Sequence, residues 1–530
     1  MEQVLAAIDR GRTRIDRHPL YRWMGSDEAP LEQRFVFAPL FANFILGFRD
    51  MNRWFMRYPE PGNAFEEAIN RHTQEDETHS ALFLDDWREL GLDDHLGWGV
   101  EDTMAWYYAA PETEVFRRYA MRIVQMCVDT PDALVRFGFM EAIEACGHVF
   151  FGHTAPLAEK LAARTGTALR YFGPYHLGRE TGTLIDADDL FESAVLTRTQ
   201  REESLRLVDE VFDMFTVKND HLLAYARRIT ASRTVPSPAA ALRRHAAAAV
   251  PAATPRKQTD TEPPSAGHQP IAERLGVRMD RLRAHPFPAW ISGGEGTPAE
   301  RLTTFLPLWI PDIMGYSDLM TYAFTFPDPS GPEERALNRR VGLLASHHRL
   351  FAHDAAALHL DERLNLTAGE TLRLLGYAPR TDLQRRSMAA FVDAAFRYPT
   401  PVIRYWLVEA LQGSGEAFFH HGSMLAEDVE ARDGVRLDYL ADRHPLAHPD
   451  LDPDPEADAV AFTRLPVTAD ERDIAIRVVD TVFDQLEMQF DQSLHLVGRG
   501  LPRPAHVSDG AAEARRRAVM ASAGTGLPQW

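Results

Sequence analysis

Apolar residues recur at three- and four-residue spacing along most of the chain, as in 31-LEQRFVFAPLFANFILGFRDMNRWFMRY-58 and 114-EVFRRYAMRIVQMCV-128. That period puts apolar side chains on one face of a helix, and Pro and Gly clusters punctuate the stretches. Alternating β-branched runs closed by hairpin signals are nearly absent. The pattern predicts an all-α protein. One stretch breaks the rule: in 66-EEAINRHTQEDETHSALFLDDW-87, His72, His79 and Asp86 recur every seven residues, with Glu75 and Asp76 between the histidines. Read as one helix, these positions share a face. That face carries imidazoles and carboxylates where leucine would be expected, and buried ionisable groups are costly unless paired or bound to a metal.

The pattern is also written twice. His18-Pro19 answers His285-Pro286 at a separation of 267. At 268, Asp50 pairs with Asp318, Asn70 with Asn338, His79 with His347, Asp86 with Asp354, Arg136 with Arg404, Glu141 with Glu409 and His176 with His444. Near the ends, LVDEVFD (207–213) answers VVDTVFD (478–484). This predicts a tandem duplication of a unit of roughly 220 residues, each unit a bundle of about seven helices. Unit one spans 1–230 and unit two 271–502. Between them, 231–270 is rich in Ala and Pro and reads as a flexible linker, and 503–530 reads as a disordered tail. Two joined copies pack most simply as a pseudo-dimer, standing in for the homodimer of an unduplicated ancestor.

Composition narrows the function. At 530 residues, 45% hydrophobic and 25% charged, the chain has the make-up of a globular protein. Its net charge of −20 argues against nucleic-acid binding through phosphates and against anionic membranes. Cys127 and Cys146 are the two cysteines, too few for a disulfide framework or a thiolate metal site. No apolar run reaches the length of a membrane span, and the charged N-terminus is unlike a secretory signal. A cytoplasmic location is expected.

Three polar-faced segments of unit one converge on one candidate site. The first supplies His72, Glu75, Asp76 and His79, the second Glu141 and Glu144, the third His176 and Glu180. Histidine plus carboxylate without thiolate is the ligand chemistry of non-haem iron or manganese, and less specifically of zinc. Helical bundles build such sites from facing helices. The expected ligands are His72, Glu75, His79, Glu141, His176 and Glu180, with Asp76, Asp86 and Glu144 as supporting carboxylates. His79, Glu141 and His176 carry the most weight because both copies keep them. Unit two has Arg340, Leu343 and Leu344 in place of His72, Glu75 and Asp76, and Gln412 in place of Glu144. Its His347, Glu409, His444 and His448 read as remnants of a degenerate site. The Phe35–Phe55 aromatic stripe reads as core first and substrate pocket second.

These residues resemble the ligand pattern of the haem-oxygenase-like di-iron oxidases. Members of that family are seven-helix all-α proteins that hold two irons in place of haem. Their ligands run as a carboxylate and a His seven residues apart, a Glu on a later helix, then His-x3-Asp/Glu-x2-His. His79 matches the first His, Glu141 the Glu, His176 the next His and Glu180 the carboxylate after it. Two positions depart: His72 stands at the first carboxylate, with Glu75 and Asp76 nearby, and Thr183 stands at the final His. The resemblance implies two haem-oxygenase-like bundles, one or two Fe(2+) ions in unit one, and dioxygen as co-substrate. It further implies oxidation of a small amino-acid, amine or fatty-acid-like substrate by N-oxygenation or oxidative C–C cleavage, with an external electron donor. The alternative is a non-catalytic helical binding or scaffold protein with a decayed metal site.

Overall fold

Several helices start where the sequence supplies a cap. Asn63 accepts from the amides of Phe65 and Glu66, Asp132 from Leu134 and Val135, and Thr297 and Thr367 each close a capping box with a glutamate. The computed structural model describes residues 1–179, 188–232, 235–247, 265–441 and 462–497. Among them there is no strand, and no helix is long and apolar enough to cross a membrane. The first half runs α1 Glu2–Asp16, α2 Pro19–Gly25, α3 Ala38–Met51, α4 Ala64–Asp76, α5 His79–Glu89, α6 Leu92–Leu96 and α7 Val100–Tyr108. It continues with α8 Glu114–Asp129, α9 Ala133–Thr165, α10 Pro174–Leu177, α11 Asp188–Glu192 and α12 Arg198–Ser232. After α13 Pro238–Ala247 come α14 Gln269–Arg283, α15 Pro286–Gly293, α16 Pro298–Asp318, α17 Pro332–Leu344 and α18 His348–Ala357. The last are α19 Leu360–Leu364, α20 Ala368–Gly376, α21 Asp382–Arg397, α22 Pro401–Asp433 and α23 Ala469–Val497.

The two halves repeat each other in detail. α9 and α22 are both 33 residues long and both end at a left-handed glycine, Gly166 and Gly434. α3 and α16 each run into a π-helical turn, Asn52–Met56 and Leu319–Phe324. α9 is apolar almost all round and is wrapped by α1, α2, α4, α10 and α12, which makes it the axis of the first half.

Several residues kept in both halves hold the backbone. His18 Nδ1 accepts from the Leu20 amide and His285 Nδ1 from Phe287, both at 3.1 Å. Asn70 bonds both backbone groups of Tyr58, as Asn338 does those of Phe326. Arg136 and Arg404 are buried against carbonyls, Arg136 on Thr130, Phe55, Met56 and Cys127, Arg404 on Ala395, Phe324 and Thr325.

Contacts between the halves are reciprocal. Arg117 Nε bonds Asp318 at 3.1 Å, and Arg385 Nε bonds Asp50 at 2.8 Å. Asp93 accepts from the Gly369 amide at 2.7 Å, and Asp361 from Glu101 at 2.8 Å. In each case position i of one half meets j of the other, and j meets i.

Two expectations need correction. The stretch 66–87 is not one helix: α4 ends at Asp76 and α5 starts at His79. Across Glu77 and Thr78 the chain tightens into i→i+3 bonds (Thr78 N to Glu75 O, 3.0 Å; Ala81 N to Thr78 O, 3.3 Å). The segment read as a flexible linker holds α13, packed on α7 and α18. Asp102 accepts from Ser237 Oγ and the Ala239 amide, and Ala239 and Leu242 are buried. The rest of that segment that is not described, and the tail, lie outside the described residues.

Two buried carboxylates make stability pH-dependent. Asp86 accepts from the amides of Arg170 (2.6 Å) and Phe172 (2.9 Å), and Asp354 from Asp438 and Leu440 (both 2.8 Å). Burial raises them to about 6 and about 7, against the pull of these amides. Folded carboxyls that hold protons more tightly than unfolded ones favour the fold most below the unfolded value near 4. That contribution is lost as pH rises to 6–7, on the order of 3 kcal/mol per group. Thermal melts should therefore show a higher Tm at pH 5 than at pH 7.5, with a shallower decline in Asp354→Asn.

Candidate metal centre

α4 places His72 and Asp76 one turn apart, facing α9. There Glu144 Oε1 lies 3.1 Å from His72 Nε2. Among the described residues, His72, Asp76 and Glu144 form a buried group whose ligand atoms all lie within 4.8 Å of one another. One imidazole and two carboxylates suit a divalent ion of borderline or hard character. Asp76 is held from behind: Asn52 Nδ2, on the π-helical turn after α3, donates to its Oδ2 at 2.7 Å. π-Turns are frequent at functional sites, because the extra residue re-aims a side chain.

The kink at Glu77–Thr78 turns His79 back onto α4. Its Nδ1 lies 2.8 Å from Asp76 Oδ1 and 2.9 Å from His176 Nε2. His176 Nδ1 donates to the Tyr171 carbonyl at 2.9 Å, which orients the ring and turns Nε2 to His79. His176 sits on α10, a single turn started by Pro174, and is 1% exposed. Asp86 braces this arrangement at one remove. Its two oxygens hold the amides on either side of Tyr171, whose carbonyl orients His176.

The expected ligands thus fall into distinct places. His72 belongs to the metal-capable group, together with Asp76 and Glu144, which sequence reasoning had assigned to support. His79 touches both Asp76 and His176. Glu141 is buried on α9, 3% exposed. Glu75 is half-buried and pairs with Arg179, because the end of α4 turns it to the rim. Asp86 holds backbone amides and not an imidazole. Glu180, Thr183, His444 and His448 lie outside the described residues. Asn52 was not among the sequence candidates, and Asp76 and Glu144, placed there as supporting carboxylates, stand with His72 in the metal-capable group. The signal was their change between copies, to Met320, Leu344 and Gln412.

Asp76 and Glu144 of this group, with His79 and His176, line a cavity of about 70 Å³ walled by Phe41, Phe44, Phe150, Phe151 and Phe215. Cys146 lines it as well, its thiol pushed up by burial and so inert as a nucleophile.

The second half is built differently at the same place. Arg340, where the first half has His72, pairs with both Glu409 and Gln412. A guanidinium thus fills the position and supplies a fixed positive charge. His347 and Glu409 line a larger cavity of about 430 Å³ together with Asp312, Tyr316 and Arg340. The chain matches no protein-family model, and comparison with curated proteins gives no significant match.

Proposed function

We propose that this chain is a non-haem iron oxidase or oxygenase that acts with dioxygen on a small amino-acid, amine or fatty-acid-like substrate. In this reading two haem-oxygenase-like bundles pack as a pseudo-dimer and the first does the chemistry. The observation that carries it is the buried His72–Asp76–Glu144 group, two of whose members line an aromatic-walled cavity. The donor set fits one ferrous ion. A second would draw on His79, His176 and Glu141, beside Asp76 or on the same helix as Glu144. The reciprocal contacts between halves support the pseudo-dimer, since isologous packing pairs i with j and j with i.

Iron bound there would supply electrons to dioxygen, and an external donor would restore them. The chain's own residues do the rest. Asn52 orients Asp76, the Tyr171 carbonyl fixes His176, and the His79–His176 pair holds a proton next to the Asp76 carboxylate. The phenylalanine walls exclude water and grip an apolar substrate body.

The test is metal content after anaerobic ferrous reconstitution of wild type, Glu144→Gln and Glu409→Gln. The expected result is one or two irons per chain in wild type and Glu409→Gln, and none retained in Glu144→Gln. Wild type that holds no iron would overturn the oxidase reading in favour of a helical scaffold. Arg340 in the second half already shows how this fold fills the position without metal.

A further inference from the structure

Lys218, on α12, lines the first-half cavity and is 3% exposed. Its ammonium lies 3.3 Å from the ring centre of Phe215, 4.3 Å from Phe44 and 4.8 Å from Phe41. Aromatic faces attract a cation, but they replace only part of the hydration lost on burial. Burial holds the amine's pKa well below its usual value, against a smaller pull from the Cys146 thiol. Among the described residues no hydrogen-bond acceptor meets this amine, so a flexible side chain that is charged in water lies buried among rings.

The fold does not require a cation here. At the corresponding place in the second half stands Gln489, which donates to Asp312 Oδ1 at 3.2 Å, and Asp312 replaces Phe44. One scaffold thus carries an amine facing rings in one half and an amide on a carboxyl group in the other. The polarity of each cavity is a separate choice.

We propose that Lys218 anchors the carboxylate of a small substrate whose apolar body lies among Phe41, Phe44, Phe150 and Phe215. The substrate's other end reaches the Asp76 and Glu144 carboxylates, which line the same cavity. The inference rests on the oxidase reading for the chemistry at that far end, and on the cavity alone for the anchor. It narrows the substrate to monocarboxylates and sets neutral amides and simple amines aside.

The test uses the full chain stripped of metal with chelator, so it does not depend on whether iron binds. Hexanoate and 3-phenylpropanoate are titrated calorimetrically beside their primary amides. The expected result is carboxylate binding at least tenfold tighter than amide binding in wild type and in His72→Ala. That preference is expected to vanish in Lys218→Met and in Lys218→Gln, the latter the residue the second half already tolerates. The melting temperature of ligand-free Lys218→Met should rise, because an unpaired buried amine is removed. Equal binding of carboxylate and amide, no carboxylate binding to wild type, or unchanged affinity in both Lys218 variants would overturn the proposal. Iron content, measured separately, reports on the oxidase reading and can fail while this result stands.

Discussion

Rewriting the first-half site with the second half's residues, His72→Arg, Asp76→Leu and Glu144→Gln together, is expected to abolish metal retention while the chain stays folded. All three members of the metal-capable group change at once, and an arginine brings a positive charge to the place where a cation would sit. Loss of supporting residues alone costs a metal site about 10–100-fold in affinity, so loss of the ligands should exceed 100-fold. Folding should survive because the same backbone carries these residues in α17 and α22, where Arg340 pairs with Glu409 and Gln412. In the triple variant, Glu141 stands ready to play the part of Glu409. Elemental analysis after ferrous reconstitution reads the first half of the claim, and circular dichroism with thermal melts reads the second. Stoichiometric iron in the triple variant would mean that the metal sits elsewhere.

Asp86→Ala should produce the largest loss of stability among the site's supporting residues, up to about 2–6 kcal/mol. A buried amide, of Phe172, and a part-buried one, of Arg170, lose their acceptor together, and each orphaned group costs up to about 1–3 kcal/mol. The same change frees the Tyr171 carbonyl that orients His176, and through His176 it loosens His79 and Asp76. Asp354→Ala removes the equivalent brace from the second half and serves as the control. Denaturant midpoints should fall in both variants, whereas iron affinity should fall only in Asp86→Ala. If both variants keep their iron equally, the brace is architectural alone.

Much of the architecture was legible because it is local. The three-to-four period gives helices, Asn63, Asp132 and Thr297 announce their starts, and the offset of 268 aligns the two halves element by element. The break at Glu77–Thr78 was not legible. It contains neither Gly nor Pro, and the chain bends there by tightening its hydrogen bonds under the packing around His79. α13 was hidden for a related reason, since an Ala/Pro-rich composition says nothing of the tertiary acceptor, Asp102, that fixes its first turn.

The site teaches a sharper point about repeats. Residues shared by both copies, such as His18 and His285, Asn70 and Asn338, Asp86 and Asp354, and Arg136 and Arg404, serve the backbone they have in common. On the readings proposed above, the residues that set the chemistry apart, His72, Asp76, Glu144, Asn52 and Lys218, are those that differ. Weight placed on shared residues therefore brings forward the scaffold together with His79, Glu141 and His176, and passes over the metal-capable group.

The Arg340 guanidinium also changes what each half requires from its surroundings. It is charged at any physiological pH and is part of the chain, so Glu409 has its counter-charge from the moment the second half folds. In the first half the same place is held by His72, whose charge depends on a proton, and, on the reading proposed above, by an ion drawn from the medium. Ligands that bind only the folded state stabilise it in proportion to their supply. Iron starvation would then soften α4, α5 and α10 while α17 and α18 kept their rigidity. Each molecule would carry a metal-responsive half next to an unresponsive reference of the same design.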